Sequence, residues 1–541
     1  MNIYDGNETI ATMYGKVKGE KCKHSGTIHW LGVPYAKAPV NELRWKAPCD
    51  HEPWDGVRMA TEYGNCCVQV VGDTVVGAED CLYLNIWRPD YGSSSLPVFV
   101  YAHGGGNLSG SGQDFFGEEL AAETNSMIIS INYRLGAMGF FRHPSLRTRD
   151  PIDDSGNYGL LDILCALRWV KGNIGRFGGD PRNVTLAGQS AGARNVLAAM
   201  ISPLGRGLFH KAAILSGGMT TADPLQGDAK SEEVLQRLLL ATGKAATEAD
   251  AKAWSATRST EEVASFLLSV NSEYFASVYG QVAIQMEPFP HLFRDGAVIP
   301  VEGFAKIDHG HYLKVPILLG STATEFSGFA ASDPQFLHSL MDGSIFSDAE
   351  KSKLYAKTVQ YGSELYAGFN VEEVAERIAV QQDQPPIYAY RFEWGTREEV
   401  MESPFRFLLG AMHGADILFY TGDEKMTLQN YPNGYLTKEN EPGRRELTAL
   451  LRGYLKQFLY TGNPKTAGLP IWKAWRVADN EQRILKMDAD RNHAITWMDS
   501  EYLKAEEVRS RMEDDPALSP EQRAWIREHL LAGRFFWKEA L

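Results

Sequence analysis

The chain has 541 residues, 44% of them hydrophobic, 11% aromatic and 23% charged, a length for several domains or one large α/β domain with insertions and a composition too apolar for a disordered chain. Its 54 Lys and Arg against 68 Asp and Glu give a formal charge of −14, which repels a phosphate backbone and an anionic membrane surface and argues against nucleic acid and membrane as partners. No apolar run reaches the roughly 18 residues of a spanning helix, and the start MNIYDGNETIATMYG lacks a basic end followed by an apolar stretch, so the expected location is cytoplasmic, or secreted or periplasmic with a signal removed.

Short, apolar, often β-branched runs recur in chain order at 96–103, 126–134, 183–188, 211–217, 315–321, 387–394 and 482–488. Each has the length and the following turn residues of a buried parallel strand. Between them the period becomes helical. In YGLLDILCALRWVKGNI (158–174), Leu160, Ile163, Leu164, Leu167 and Val170 fall on one helical face. This alternation predicts a doubly wound, mostly parallel sheet flanked by helices, and no linker divides residues 1–541, so one domain is expected. Two polar, helix-rich stretches, about 225–285 and 330–380, read as insertions covering one end of that sheet. Ser519, Pro520 and Gln522 have the spacing of a helix start, so a last helix is expected over about 519–538, with Ile526, Leu530, Gly533 and Trp537 on one face.

The strongest chemical signal is Gly188-Gln189-Ser190-Ala191-Gly192, between the strand run NVTLA and the helical ARNVLAAMI. A G-x-S-x-G in that context is a nucleophile elbow: the sharp turn brings its neighbours together, hence the small residues, and lifts the serine hydroxyl above the sheet. Serine needs a base, and the base needs a group that fixes its tautomer. Downstream acids are numerous; Glu325 stands out because it lies just beyond the strand VPILLGS. His413 sits between glycines in LLGAMHGADILF, as an imidazole presented from a loop should, whereas His338, His493 and His529 have polar or helical surroundings. His103-Gly104-Gly105-Gly106 follows another strand, and glycines there let backbone N–H groups of Gly105 and Gly106, with that of Ala191, face a developing oxyanion. A phosphate loop is the competing reading, but no G-K-[ST] follows.

Nine separated runs carry a resemblance to the type-B carboxylesterase and cholinesterase family: LGVPYAKAP, EDCLYLNIW, HGGG, NYRLGAMGFF, GNYGLLD, FGGDPRNVTLAGQSAGA, SPLGRGLFHKAAILSG, ILLGSTATE and GAMHGAD, in the family's order. The resemblance implies an α/β-hydrolase fold and a Ser190, Glu325, His413 triad. The implied reaction is hydrolysis of a small-molecule carboxylic ester through an acyl-enzyme, with neither metal nor organic cofactor. A lipase or an esterase dedicated to one natural or xenobiotic ester is the alternative, and an adhesion protein lacking catalysis a third, against which the intact triad argues.

The departures matter as much. Gln189 stands where the family usually has Glu, Asn107 where an aromatic follows the glycines, Ile163 where Gln usually follows the Asp of the GNxGLxD run, and Val71 where cholinesterases carry the Trp that binds choline. Without that cation–π platform and the carboxylate, a cholinesterase is excluded. Gln189, Asn107, Met286, Phe289, Phe326 and Phe329 are the candidates for substrate contact, the apolar ones equally readable as core. Among six cysteines none forms a paired C-x-x-C zinc pattern. Relatives commonly bridge the positions of Cys67 and Cys81, although Cys66 leaves the pairing ambiguous and a reducing cytosol would leave all three as thiols, so bridge and free thiols are both open; Cys165 reads as core.

Overall fold

The structure, a computed structural model, describes residues 4, 6–91, 95–279, 289–422, 434–477 and 481–531. They fall into two compact units. The first comprises the described residues up to His210, those from Thr220 to Tyr279, and Phe289–Leu313; the second comprises Lys211–Met219 and the described residues from Lys314 onward.

In the first unit, β1 (Glu20–Cys22), β2 (Thr27–Pro34), β3 (Tyr83–Pro89), β4 (Leu96–Ala102), β5 (Met127–Ile131) and β6 (Gly179–Gln189) lie in the order β1-β2-β3-β5-β4-β6. The β4 pairings with β5 and β6 are parallel; the remaining ones are antiparallel. Every residue of β4 and β5 is buried, which is why these strands read as unbroken apolar runs rather than alternating ones. Register has a functional consequence: Gly188 of β6 is level with Ala102 of β4, so the residues after each strand emerge side by side at the carboxyl ends.

Helix α1 (Tyr158–Asn173) packs against β6, against α2 (Ala191–Ile201) and against the turn at Gly136–Gly139. Surrounded in this way, it is buried everywhere except Arg168, Lys171 and Gly172, so the single face marked by its periodicity understates its burial. Four further helices, α3 (Pro224–Ala241), α4 (Glu248–Thr257), α5 (Thr260–Ser269) and α6 (Ser272–Val278), follow. Reciprocal capping boxes start three of them, at Asp223/Gln226, Thr247/Asp250 and Ser259/Glu262.

In the second unit, β7 (Lys211–Leu215), β8 (Ile317–Thr322), β9 (Ile387–Phe392) and β10 (Ile484–Ala489) are parallel neighbours in chain order, and β11 (Ala494–Asp499) closes the edge antiparallel to β10. Helices α7 (Pro334–Met341), α8 (Ala349–Ala367) and α9 (Ala505–Glu513) supply Phe336, Tyr355, Tyr361, Leu365, Tyr366, Val508 and Met512 to one apolar cluster. Phe326 is fully buried inside that cluster, so this candidate for substrate contact is core. Ser519 and Gln522 form the anticipated capping box for a helix at Pro520–Trp525, which continues as a wider turn over Ile526–Leu531; Gly533 and Trp537 lie outside the described residues. No helix among the described residues is long and apolar enough to cross a membrane.

Candidate active site

Ser190 follows β6 with φ 57° and ψ −121°, a backbone conformation that costs a non-glycine residue on the order of 1–3 kcal/mol and is held only where surrounding structure dictates it. The two glycines show what dictates it. A Cβ on Gly188 would run into the Gly192 backbone, and one on Gly192 would run into the carbonyl oxygen of Ala102. Only a glycine at each position lets the chain double back tightly enough to aim the serine. Ala191 then opens α2, and its amide is among the first-turn N–H groups that have no acceptor within the helix.

The parallel register places the His103–Gly106 loop against this turn. A Cβ on Gly104 would reach the Gln189 side-chain oxygen and lie 3.1 Å from the Ser190 Cβ. Gly105 and Gly106 have φ values of 95° and 67°, and the Gly105 carbonyl accepts from Leu108 and Ser109 N–H groups, each at 3.0 Å. His103 lies beneath the loop. Its Nδ1 donates to the Gly104 carbonyl at 2.8 Å, its ring stacks on Tyr133 at 4.5 Å, and burial pushes its pKa down to about 4. A neutral, structural histidine results. The Tyr133 hydroxyl is 2.8 Å from the His103 carbonyl and 3.1 Å from Asn107 Oδ1, and the Asn195 amide donates to that same oxygen at 2.9 Å. Asn107 is fully buried with φ 61°. Its amide is thus committed to the loop's underside, which corrects its reading as a substrate contact. The residue replaces an aromatic side chain with a hydrogen-bonded left-handed turn.

In the second unit, Thr324 N–H donates to the Ala411 carbonyl at 3.1 Å, and Thr324 bridges Met412 in parallel fashion. The next residue on each side is therefore Glu325 and His413. His413 Nδ1 donates to Glu325 Oε2 at 2.5 Å. The other carboxylate oxygen accepts from Ser216 Oγ at 2.6 Å and from the Thr322 amide at 2.8 Å. Glu325 is fully buried, so these donors replace the water that a buried carboxylate gives up. With Nδ1 holding the proton, a neutral His413 keeps its lone pair on Nε2. Phe329 and Tyr366 flank the imidazole at 5.1 and 5.4 Å, so Phe329 stands beside His413.

Sequence reading missed three members of this second group. Ser216 has φ 53° immediately after β7, Tyr366 donates to the Ser216 carbonyl at 3.1 Å, and Asp416 is fully buried with Tyr390 donating to it at 2.5 Å. Burial pushes the Asp416 pKa up to about 6. Ser216 alone left a signal, as a small polar residue ending a buried strand.

Phe289 is buried with Tyr279, Phe140 and His291 in an aromatic group of the first unit, and Met286 lies outside the described residues. Cys67 and Cys81 are joined by a disulfide with Cα atoms 5.0 Å apart, while Cys66 and the buried Cys165 are free thiols. Val71 is 58% exposed.

A sequence profile described as the carboxylesterase family matches residues 6–342 and 335–509. The para-nitrobenzyl esterase of Bacillus subtilis (strain 168) is 30% identical over 497 residues, covering 88% of this chain and 95% of its own. The pyrethroid hydrolase Ces2a of Mus musculus is 31% identical over 518 residues, with coverages of 88% and 87%. A solved PNB esterase superposes with a TM-score of 0.70 at 29% identity over 93% of this chain and all of its own. A Geobacillus stearothermophilus carboxylesterase also gives 0.70, at 27% identity, covering 93% of this chain and 99% of its own.

Proposed function

Because the chain belongs to the carboxylesterase family, has its α/β-hydrolase fold and hydrolyses carboxylic esters, we propose that Ser190 is its nucleophile, His413 its base and Glu325 the acid that orients the base. His413 Nε2 takes the Ser190 proton as the hydroxyl oxygen attacks the ester carbonyl, and the imidazolium returns it to the departing alcohol. Water then repeats the sequence on the acyl-enzyme. The amides of Gly105, Gly106 and Ala191 stabilise the oxyanion of each tetrahedral intermediate, a task for preorganised donors that need not reorient as charge develops. The conformations of Gly105 and Gly106 suit it, since no side chain of their own shields those two amides.

The observation that carries this reading is the Ser190 backbone, strained and locked between two glycines that tolerate no Cβ. A turn of that kind serves no packing purpose that a relaxed residue could not serve. Treatment with a fluorophosphonate and peptide mapping tests the assignment. Label on Ser190, abolished in Ser190→Ala, is the expected result; label on another serine, or none, overturns it.

A further inference from the structure

The three proposed oxyanion donors come from two separate pieces of backbone. The Gly105 and Gly106 amides belong to the loop after β4, and the Ala191 amide opens α2. They can serve one oxygen only if loop and helix end keep a fixed spacing, because each donor acts at about 2.7–3.1 Å from the charge. Glycines cannot set that spacing alone. They have no side chain to anchor, and both φ signs are open to them. The anchor is the residue that follows.

Asn107 holds the left-handed φ of 61°, which Asn tolerates better than most residues, and its carbonyl accepts from the Gly136 N–H at 2.7 Å. Its side chain turns to α2. The amides of Asn107 and Asn195 exchange hydrogen bonds at 2.9 and 3.3 Å, and both residues are fully buried, so no water competes for those bonds. Asn195 stands four residues after Ala191, one helical turn on and on the same face of α2. The Tyr133 hydroxyl, 2.8 Å from the His103 carbonyl and 3.1 Å from Asn107 Oδ1, links the other end of the glycine loop to the same pair. The loop is thus gripped at both ends, and Asn195 joins the grip to the helix that carries the third donor. An aromatic side chain at position 107 would have no such bond to offer α2.

We infer that the Asn107–Asn195 pair is a positioning brace that holds the Gly105 and Gly106 amides and the Ala191 amide at the spacing one oxyanion requires. The inference rests on the oxyanion reading above and names what sets its geometry. Both side chains are neutral and act through backbone, outside the proton transfers. Losing the brace should therefore weaken stabilisation of the transition state and leave ground-state binding nearly unchanged. A pair that merely satisfied its own buried amides would affect stability alone.

The test follows 4-nitrophenyl butyrate hydrolysis and inhibition by hexyl trifluoromethyl ketone. By the proposed chemistry Ser190 Oγ adds to the ketone carbon, its proton passes to His413, and the charged oxygen takes the place of the ester's oxyanion. The inhibition constant is read on enzyme that binds, so it does not depend on how much of a variant is folded. Asn107→Gly keeps the left-handed conformation accessible, and Asn195→Ala keeps a good helix former on α2. Each should lower kcat by about 10- to 100-fold with KM within about threefold, and raise the inhibition constant in step. The two together should be no worse than the slower single, because either removes the whole pair. Asn107→Gly with Asn195→Leu leaves no unpaired amide from the pair, so it should recover stability but not kcat. A lowered melting temperature with kcat and inhibition constant unchanged would overturn the brace, as would recovery of kcat in the Leu variant. Gly105→Ala in the same assay separates the two readings: if it leaves the inhibition constant unchanged, or if the ketone does not inhibit the parent, the oxyanion reading beneath fails instead.

Discussion

The region around Ser190 and the region around Glu325 and His413 are built on different physical principles, though both sit where parallel strands end. Around Ser190 the geometry is made by backbone: Gly188, Gly192, Gly104 and Gly105 are defined by what a Cβ would strike. Around Glu325 it is made by side chains. A carboxylate is held by a serine, an amide and an imidazole, and only the Thr322 amide is close to it in sequence. A backbone-built site has little tolerance for substitution and writes itself into consecutive residues. A side-chain-built site is assembled from distant ones and has redundancy.

That contrast can be challenged by substitution. If Glu325 is the acid of the proposed triad, Glu325→Gln removes the charge that orients His413 and stabilises its imidazolium, and should lower kcat by about 10³- to 10⁴-fold. A steady-state rate within a few-fold of the parent would remove Glu325 from the triad. Gly105→Ala forces a side chain into a φ of 95° and against the Ser109 carbonyl. It should depress kcat by about 10²- to 10³-fold with a smaller change in KM; an unchanged kcat would mean that the carbonyl is held elsewhere.

Redundancy predicts a milder effect on the other side. Ser216→Ala removes a 2.6 Å hydrogen bond from Glu325 but leaves the Thr322 amide in place, so kcat should fall by only about 10-fold. A loss as large as that of Glu325→Gln would show that this carboxylate has no reserve of donors. The smallest effect is on stability. Burial raises the Asp416 pKa from 3.8 to about 6, so the folded protein binds that proton more tightly than the unfolded chain. The associated stabilisation is complete below the unfolded value and is lost as pH rises through the folded one. The melting-temperature difference, parent minus Asp416→Asn, should therefore decline between about pH 4 and pH 6 and level off above; a difference that is flat across this range would contradict the burial effect.

The same contrast explains what could be read in the sequence. The strand at Leu96–Ala102 was legible because parallel strands buried on both faces are continuous apolar runs. The Ser190 turn was legible because its steric demands fall on five consecutive residues. In their own surroundings Glu325 and His413 could be singled out only by their places after a strand and between glycines, and it was the family resemblance that joined them to Ser190. Ser216, Tyr366 and Asp416 act through partners that are remote in the chain: 109 residues separate Ser216 from Glu325 and 150 separate it from Tyr366. No local pattern encodes such pairs. Asn107 shows the reverse error, and Phe326 takes the core alternative of its two readings, since a position beside a motif says nothing about which way a side chain points.

The most direct test of the proposed triad is a double-mutant cycle on kcat with Ser190→Ala, His413→Ala and the variant carrying both. If nucleophile and base act as one unit, each single substitution should lower kcat by roughly 10⁴- to 10⁶-fold, and the double variant should be no slower than the slower single. A double variant whose loss equals the product of the two single losses would show that Ser190 and His413 act independently and would contradict the triad.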